Sequence, residues 1–112
     1  DEAALQEAQK ITQALFSGNV KDLTVKEIEQ GLQNMPSFNT TNKTKNIVDW
    51  LVEINCEASK RQAREDVING AININGEKVT DINFLVNPNS AFEGKYMIIR
   101  KGKRNYFLVK VL

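Results

Sequence analysis

The segment from Ser59 to Val79 constrains the fold of this chain more than any other part of its sequence. Ser59 is a good helix N-cap, and the residues that follow place apolar side chains at helical spacing over 60–69. Gly70 ends this helix, because glycine readily adopts the left-handed conformation found just past helix ends. Asn75-Gly76 then gives the strongest short signal for a β-hairpin. The segment predicts a capped helix, a glycine stop and a hairpin.

The cations of this predicted helix stand at its unfavourable end. Lys60 and Arg61 occupy the first two helical positions, where the macrodipole is positive and each cation costs about 0.3–1 kcal/mol. Cations placed against the helix dipole, without a structural gain, indicate a binding site. The free amides of a helix start favour an anion as the ligand. Arg64 lies on the same face, and Gln62 stands at the capping-box position and can also donate hydrogen bonds.

A second group of cations occupies a predicted turn between strand-like residues 95–100 and 105–112. This group comprises Arg100, Lys101, Lys103 and Arg104. The four positive charges of this turn repel one another, and an anionic partner would reduce that repulsion. The alternative is a charged turn that is simply solvated. Lys78 and Lys95 are additional candidates for the same surface.

Charge is distributed unevenly along the chain. The formal net charge is only +1, but residues 1–59 carry five Lys/Arg against nine Asp/Glu, while residues 60–112 carry ten against five. The basic half is where a nucleic acid would bind. Most of its aromatic residues are expected in the core, which argues against single-strand binding by base stacking.

Several classes of function are excluded by what the sequence lacks. There is no His, which removes Ser-His-Asp triads, the common zinc sites and a base for the single cysteine, Cys56. No Gly-rich phosphate loop and no run of 18 apolar residues is present. One cysteine cannot form an internal disulfide, which favours a reducing cytoplasm. We therefore expect no enzyme, no cofactor, no metal and no membrane span in this chain.

The remaining segments predict an α+β organisation. Residues 3–17 form a helix that Gly18 ends, and a capping box opens a second helix, which runs from Thr24 to near Asn34. Residues 36–46 are polar and rich in turn formers, which predicts a flexible connector.

The second half of the chain predicts a compact unit of two helices and a small, mostly antiparallel sheet. A helix at 46–54 carries Trp50 as a half-exposed residue, and 77–80 forms the returning strand of the hairpin. Residues 81–94 are irregular, with a buried anchor at 84–86. The expected core comprises Val48, Leu51, Val52, Ala63, Val67, Ile68, Ile72, Ile74, Val79, Ile98, Leu108 and Val109.

The residues from Ser59 to Val79, read as Ser-Lys-Arg-Gln-Ala-Arg-Glu-Asp-Val-Ile-Asn-Gly-Ala-Ile-Asn-Ile-Asn-Gly-Glu-Lys-Val, resemble the alpha-L RNA-binding motif of small-subunit ribosomal protein S-four. The chain as a whole resembles the C-terminal domain of bacterial tyrosyl-tRNA synthetases. Residues 2–18 are similar to the segment that follows the catalytic body, and Arg100-Lys101-Gly102-Lys103 is similar to the end of the domain. Asn55 lies in or near the place where that family often has glycine, and it tolerates a left-handed conformation.

This resemblance implies that residues 1–45 are a helical segment and linker following an absent catalytic body, and that residues 46–112 are the RNA-binding domain. It implies binding of tRNA(Tyr) at the anticodon stem and long variable arm in support of tyrosylation. The implied RNA-binding residues are Lys60, Arg61, Gln62, Arg64, Lys78, Arg100, Lys101, Lys103 and Arg104.

The same resemblance implies that ATP and tyrosine bind the absent body and that the protein is cytoplasmic. The isolated domain is then expected to be monomeric and the full-length protein a homodimer. Two alternatives stay open. One is the RNA-binding domain of another ribosome-associated or RNA-modifying protein, and the other is a protein-interaction module that docks on a catalytic body.

Overall fold

A five-stranded sheet is the centre of the computed structural model, which describes all 112 residues. The strands in chain order are β1 (Ser37–Thr40), β2 (Lys45–Asn46), β3 (Ile72–Ile74), β4 (Glu77–Lys78), β5 (Leu85–Val86), β6 (Tyr96–Lys101) and β7 (Asn105–Val111). The large sheet has the order β1-β7-β6-β3-β4, in which only β1 and β7 are parallel. Strands β2 and β5 form a separate antiparallel pair. The expected α+β fold with a mostly antiparallel sheet is confirmed.

Four helices complete the fold together with two short 3-10 turns. The helices are α1 (Glu2–Ser17), α2 (Val25–Gly31), α3 (Ile47–Glu53) and α4 (Lys60–Ile68), and the 3-10 turns are Val20–Asp22 and Phe92–Gly94. Gly18 follows α1 with φ of 80°, as predicted. Both bonds of the capping box at the start of α2 are formed, between Thr24 and Glu27. That helix ends at Gly31, short of the predicted Asn34.

Alternation along β6 and β7 divides the core into two layers. Odd-numbered residues of these two strands face α3 and α4, and even-numbered residues face α1 and α2. The first layer takes Met97, Ile99 and Val109 from these strands, and the second takes Ile98 and Leu108. Because successive strand residues point to opposite faces, one hairpin supplies both layers.

The segment 36–46 is not a flexible connector, and that prediction is wrong. Its residues Ser37–Thr40 form β1, which pairs in parallel with β7 from Ser37↔Leu108 to Thr40↔Val111. Thr40 is buried, and its Oγ1 accepts a 2.9 Å hydrogen bond from the indole Nε1 of Trp50. Trp50 is therefore fully buried rather than half-exposed. The division of the chain after residue 45 stays a prediction, although β1 belongs by pairing to the sheet of the second region.

Three other burial predictions are wrong for the same kind of reason. Ile68, at the end of α4, is 60% exposed, and Phe84 and Leu85 are 41% and 61% exposed, so Val86 is the buried member of the expected anchor. These side chains stand at element ends, where the periodicity that predicts burial no longer fixes direction. Val52 is half-buried, and the other expected core residues are buried.

The buried hydrogen bond between Trp50 and Thr40 provides a test of the corrected connector. Thr40→Val keeps the shape of the side chain but leaves the indole N–H without an acceptor, which costs about 1–3 kcal/mol. We expect urea unfolding to show that loss with an unchanged m-value. Thr41→Val is the control, because Thr41 is exposed and its substitution should change stability by less than about 0.5 kcal/mol. Equal effects of the two substitutions would contradict the placement of β1.

Candidate nucleic-acid interface

The start of α4 presents its cations to solvent. Ser59 is the N-cap, and its Oγ accepts a 3.1 Å hydrogen bond from the backbone N–H of Gln62. Lys60 Nζ lies 3.0 Å from Asp49 Oδ1, with side chains 61% and 57% exposed. Arg61 Nε lies 3.6 Å from Glu65 Oε1. Exposed pairs of this kind contribute about 0–1 kcal/mol, so phosphates could replace either carboxylate at little cost.

Two further side chains extend this surface. Arg64 is exposed and forms no ion pair. The predicted capping box is only half formed, because the side-chain Nε2 of Gln62 donates to Asp66 Oδ1 at 3.1 Å instead of reaching back to Ser59. The surface formed by Lys60, Arg61, Gln62 and Arg64 is called the α4 patch below.

A left-handed residue sets the entry to the α4 patch. Asn55 has φ of 68°, which confirms that it adopts the conformation often given to glycine. The turn that follows is closed by a 3.0 Å hydrogen bond from the N–H of Glu57 to the carbonyl oxygen of Leu51. This turn places the start of α4 beside α3, which brings Lys60 to Asp49.

The predicted basic turn is divided between the two faces of the sheet. Arg100 points towards the end of α1, where a methyl group on Gly18 would lie 3.1 Å from Arg100 Nη1. Its Nε is buried without a partner. Lys101 points the other way and donates to Glu57 Oε1 at 2.8 Å. Only Lys103 and Arg104 remain exposed at the tip, here called the turn tip.

The turn tip lies near the far end of α4. Gly102 N–H donates to the carbonyl oxygen of Ala71 at 2.8 Å, just after the helix ends. Since α4 has nine residues at about 1.5 Å each, the backbones of the α4 patch and the turn tip stand roughly one helix length, about 14 Å, apart. Lys78 lies beside the same end of α4, because a methyl group on Gly70 would be 3.4 Å from Lys78 Cδ.

Lys95 lies apart from these groups. Lys95 precedes β6, and Lys101 is the last residue of that strand. The six residues of β6 therefore separate Lys95 from the basic turn by about 20 Å. The structure therefore brings together the α4 patch, Lys78 and the turn tip around α4. It places Arg100 on the other face of the sheet, and it pairs the partly exposed Lys101 with the buried carboxylate of Glu57.

Sequence reasoning missed a buried acidic cluster beneath α4. The carboxylate of Glu57 is fully buried, and Lys101 Nζ contacts it together with the carbonyl oxygen of Cys56 at 3.4 Å and Asp66 Oδ2 at 3.9 Å. Burial and the neighbouring Asp66 side chain together raise the pKa of Glu57 to about 7, against the attraction of Lys101. Burial also raises the pKa of the Cys56 thiol to about 11, so this cysteine stays protonated at neutral pH. No sequence signal could have found the cluster, since a lone Glu before an N-cap is usually exposed.

The three aromatic residues on β6 and β7 have structural partners. Tyr106 OH donates to the carbonyl oxygen of Leu15 at 2.8 Å, and Tyr96 OH donates to Glu29 at 2.9 Å. The rings of Phe107 and Phe38 lie 5.2 Å apart. No cluster of potential metal ligands is present, and none of the helices is long and apolar enough to cross a membrane. The described cations, not an aromatic platform, are the chemistry this surface offers.

Comparisons with known proteins agree with this architecture. A family model described as the tyrosine–tRNA ligase SYY-like C-terminal domain matches residues 27–109. Tyrosine–tRNA ligase 1 of Enterococcus faecalis is 62% identical over 100% of this chain, which covers 27% of that protein. Tyrosine–tRNA ligase of Lactobacillus johnsonii is 63% identical over 98% of this chain, which covers 26% of that protein. The chain thus spans about a quarter of the length of these curated relatives.

A solved structure shows the same fold. The solution structure of a tyrosyl-tRNA synthetase C-terminal domain is 40% identical, with a TM-score of 0.65, and the match covers 83% of this chain and 94% of that one. The expectation that this chain is not itself the enzyme is confirmed, because the matches assign it to the C-terminal domain of a ligase. The chain belongs to the family of tyrosine–tRNA ligase C-terminal domains.

Proposed function

We propose that this chain binds tRNA(Tyr), at the anticodon stem and long variable arm, and so supports tyrosylation by the catalytic domain of the same polypeptide. The observation that carries the proposal is the α4 patch, where exposed cations stand at a helix start that repels them. An anionic backbone would supply the charge that this helix end lacks. Membership of the ligase family supports tRNA as the source of that anion.

The proposed contacts follow from exposure. Lys60, Arg61, Gln62 and Arg64 form the first contact, and Lys103 and Arg104 form the second, with Lys78 at the same end of α4 as the second. Arg can hold a phosphate with two parallel hydrogen bonds, whereas Lys acts as a point charge. Double-stranded RNA is recognised mainly through phosphates, 2′-hydroxyls and shape, which suits such a surface. The sequence also predicts Arg100 and Lys101 as contacts. In this proposal neither residue touches the tRNA, because Arg100 faces α1 and Lys101 is paired with Glu57.

The wider setting is also proposed. The isolated chain would be a monomer, while the complete ligase would be a homodimer whose catalytic body binds ATP and tyrosine. The expected compartment is the cytoplasm, where Cys56 remains reduced. Competition between tRNA(Tyr), other tRNAs and ribosomal RNA would distinguish this function from that of a different RNA-binding protein with the same fold.

Docking onto a catalytic body is a second candidate function, favoured by one observation on α1. Leu5 and Phe16 are 58% and 86% exposed, and they lie about three helical turns apart on one face. Buried residues on the opposite face hold the helix to the rest of the chain. Association with a tyrosine–tRNA ligase catalytic domain that is insensitive to salt and lost in Phe16→Ser would support this role. Salt-sensitive association, or no effect of the substitution, would refute it.

Removing the cations of the α4 patch tests the main proposal. If roughly four phosphates are neutralised, the log–log salt slope of tRNA(Tyr) affinity should be near −3, at about 0.7–0.9 per contact. Replacing Lys60, Arg61 and Arg64 together by Ala should weaken binding at least about tenfold at low salt and bring the slope towards about −1.

A matched control is available elsewhere in the chain. Replacing Lys21, Lys26 and Lys43 together by Ala removes the same charge from exposed sites away from the α4 patch. This control should keep most of the affinity and the slope. Equal losses in both triple variants would show that only net charge matters, and affinity that does not respond to salt would reject the phosphate mechanism.

The division of the basic turn generates a separate prediction. Lys103→Ala combined with Arg104→Ala should reduce the salt slope by about 1–2 without changing the fold. Arg100→Met removes a charge that faces α1, so it should leave the slope unchanged. Circular dichroism would verify folding, and filter binding over a salt series would give the slopes. A reduced slope in Arg100→Met, with none in the double variant, would contradict the assignment.

A further inference from the structure

The buried cluster beneath α4 holds more negative than positive charge. Glu57 and Asp66 supply two carboxylates, and Lys101 supplies the single ammonium that contacts them. Glu57 Oε1 accepts from Lys101 at 2.8 Å, but Glu57 Oε2 is buried and has no hydrogen-bond partner. A buried carboxylate oxygen without a partner costs free energy as long as it is charged. A proton on this oxygen would neutralise its charge and so lower that cost.

The position of the cluster connects it to both parts of the proposed interface. Glu57 stands just before the N-cap of α4, and Asp66 lies on α4, where it also accepts from Gln62 of the α4 patch. Lys101 is the last residue of β6, and only Gly102 separates it from the turn tip. The cluster therefore joins the helix to the turn from below, and its charge lies within the electrostatic reach of a bound polyanion.

We propose that Glu57 is a proton-binding positioning residue, so that binding of tRNA to the α4 patch and the turn tip is accompanied by uptake of a proton at Glu57 Oε2. The inference rests on the proposed tRNA binding. The proton comes from solvent, and Lys101 stays charged beside the remaining carboxylate of Asp66, which lies 3.9 Å from its Nζ. The net charge of the three side chains then changes from −1 to 0, which lowers their repulsion of phosphates.

The direction of the pH dependence follows from linkage. A polyanion bound above the cluster favours the protonated carboxyl, so the pKa of Glu57, already raised to about 7 by burial and by Asp66, rises further in the complex. The bound state then holds more protons than the free state near neutral pH, and affinity increases as pH falls. For a further rise of about one unit, linkage gives affinity about fivefold higher at pH 6 than at pH 8, with roughly 0.4 proton taken up at pH 7.

Few other groups can produce this signal. The chain has no His, and the thiol of Cys56, next to the cluster, has its pKa raised by burial to about 11. Lys101 remains charged, because contact with Glu57 outweighs the effect of burial and its pKa is raised. A chain with an acetylated N-terminus excludes the α-amino group, since α-amino groups of proteins also titrate near neutral pH.

The experiment is calorimetric titration of the N-acetylated chain with tRNA(Tyr) at pH 6, 7 and 8, in buffers of different ionisation enthalpy. The expected result is higher affinity at low pH and uptake of a fraction of a proton at pH 7. Glu57→Gln should bind with the affinity of the parent chain at low pH, without proton uptake and without pH dependence. The control Glu77→Gln removes an exposed carboxylate, and it should keep both the proton uptake and the pH dependence of the parent chain.

The outcomes separate this inference from the proposed function. Salt-sensitive binding without proton uptake, or uptake that persists in Glu57→Gln, would overturn the inference and leave the function standing. An absence of binding at every pH would overturn both. If Glu57→Gln does not fold, NMR of the parent chain decides, through the side-chain carboxyl signal of Glu57. The titration midpoint of that signal must rise when tRNA is added. An unmoved midpoint rejects the inference.

Discussion

The alternation of side chains along β6 and β7 is the constraint on which the rest of this molecule depends. Both layers of the core are built on this one hairpin, because neighbouring residues such as Ile98 and Ile99 pack against different helices. A shift of one residue in register would exchange the side chains of the two layers and mismatch the packing of both. The same alternation sends Arg100 to α1 and Lys101 to the cluster beneath α4. Core architecture and the charge of the interface therefore have one physical origin.

The proposed interface relies on charges that the fold leaves weakly satisfied. Lys60 and Arg61 have only exposed carboxylate partners, whereas Lys101 has a fully buried one. Exposed pairs are easily exchanged for phosphate, but a buried pair is costly to break. Because of this difference, the proposal assigns phosphate contacts to Lys60 and Arg61 and a positioning role to Lys101. It also explains how a chain with a net charge of +1 can present a basic surface.

Local signals in the sequence predicted local structure well. The cap at Ser59, the stop at Gly70 and the Asn75-Gly76 turn are each determined by a few adjacent residues, and all three form as expected. Strand β1 could not be predicted in this way, because its partner β7 lies far along the chain and its own residues favour turns. The separation of Arg100 from Lys101 could have been predicted by continuing the strand alternation to the end of β6. The burial of Glu57 depends on tertiary packing and had no signal.

A single map of the bound surface tests the central claim, that one face around α4 holds the polyanion while the α1 face does not. The measurement is an NMR titration of the labelled chain with tRNA(Tyr) at low and high salt, following every backbone amide. The account predicts that amides of 59–65 and 102–104 shift together at low salt and lose these shifts at high salt. Dominant shifts in α1, α2 or β1 would contradict it.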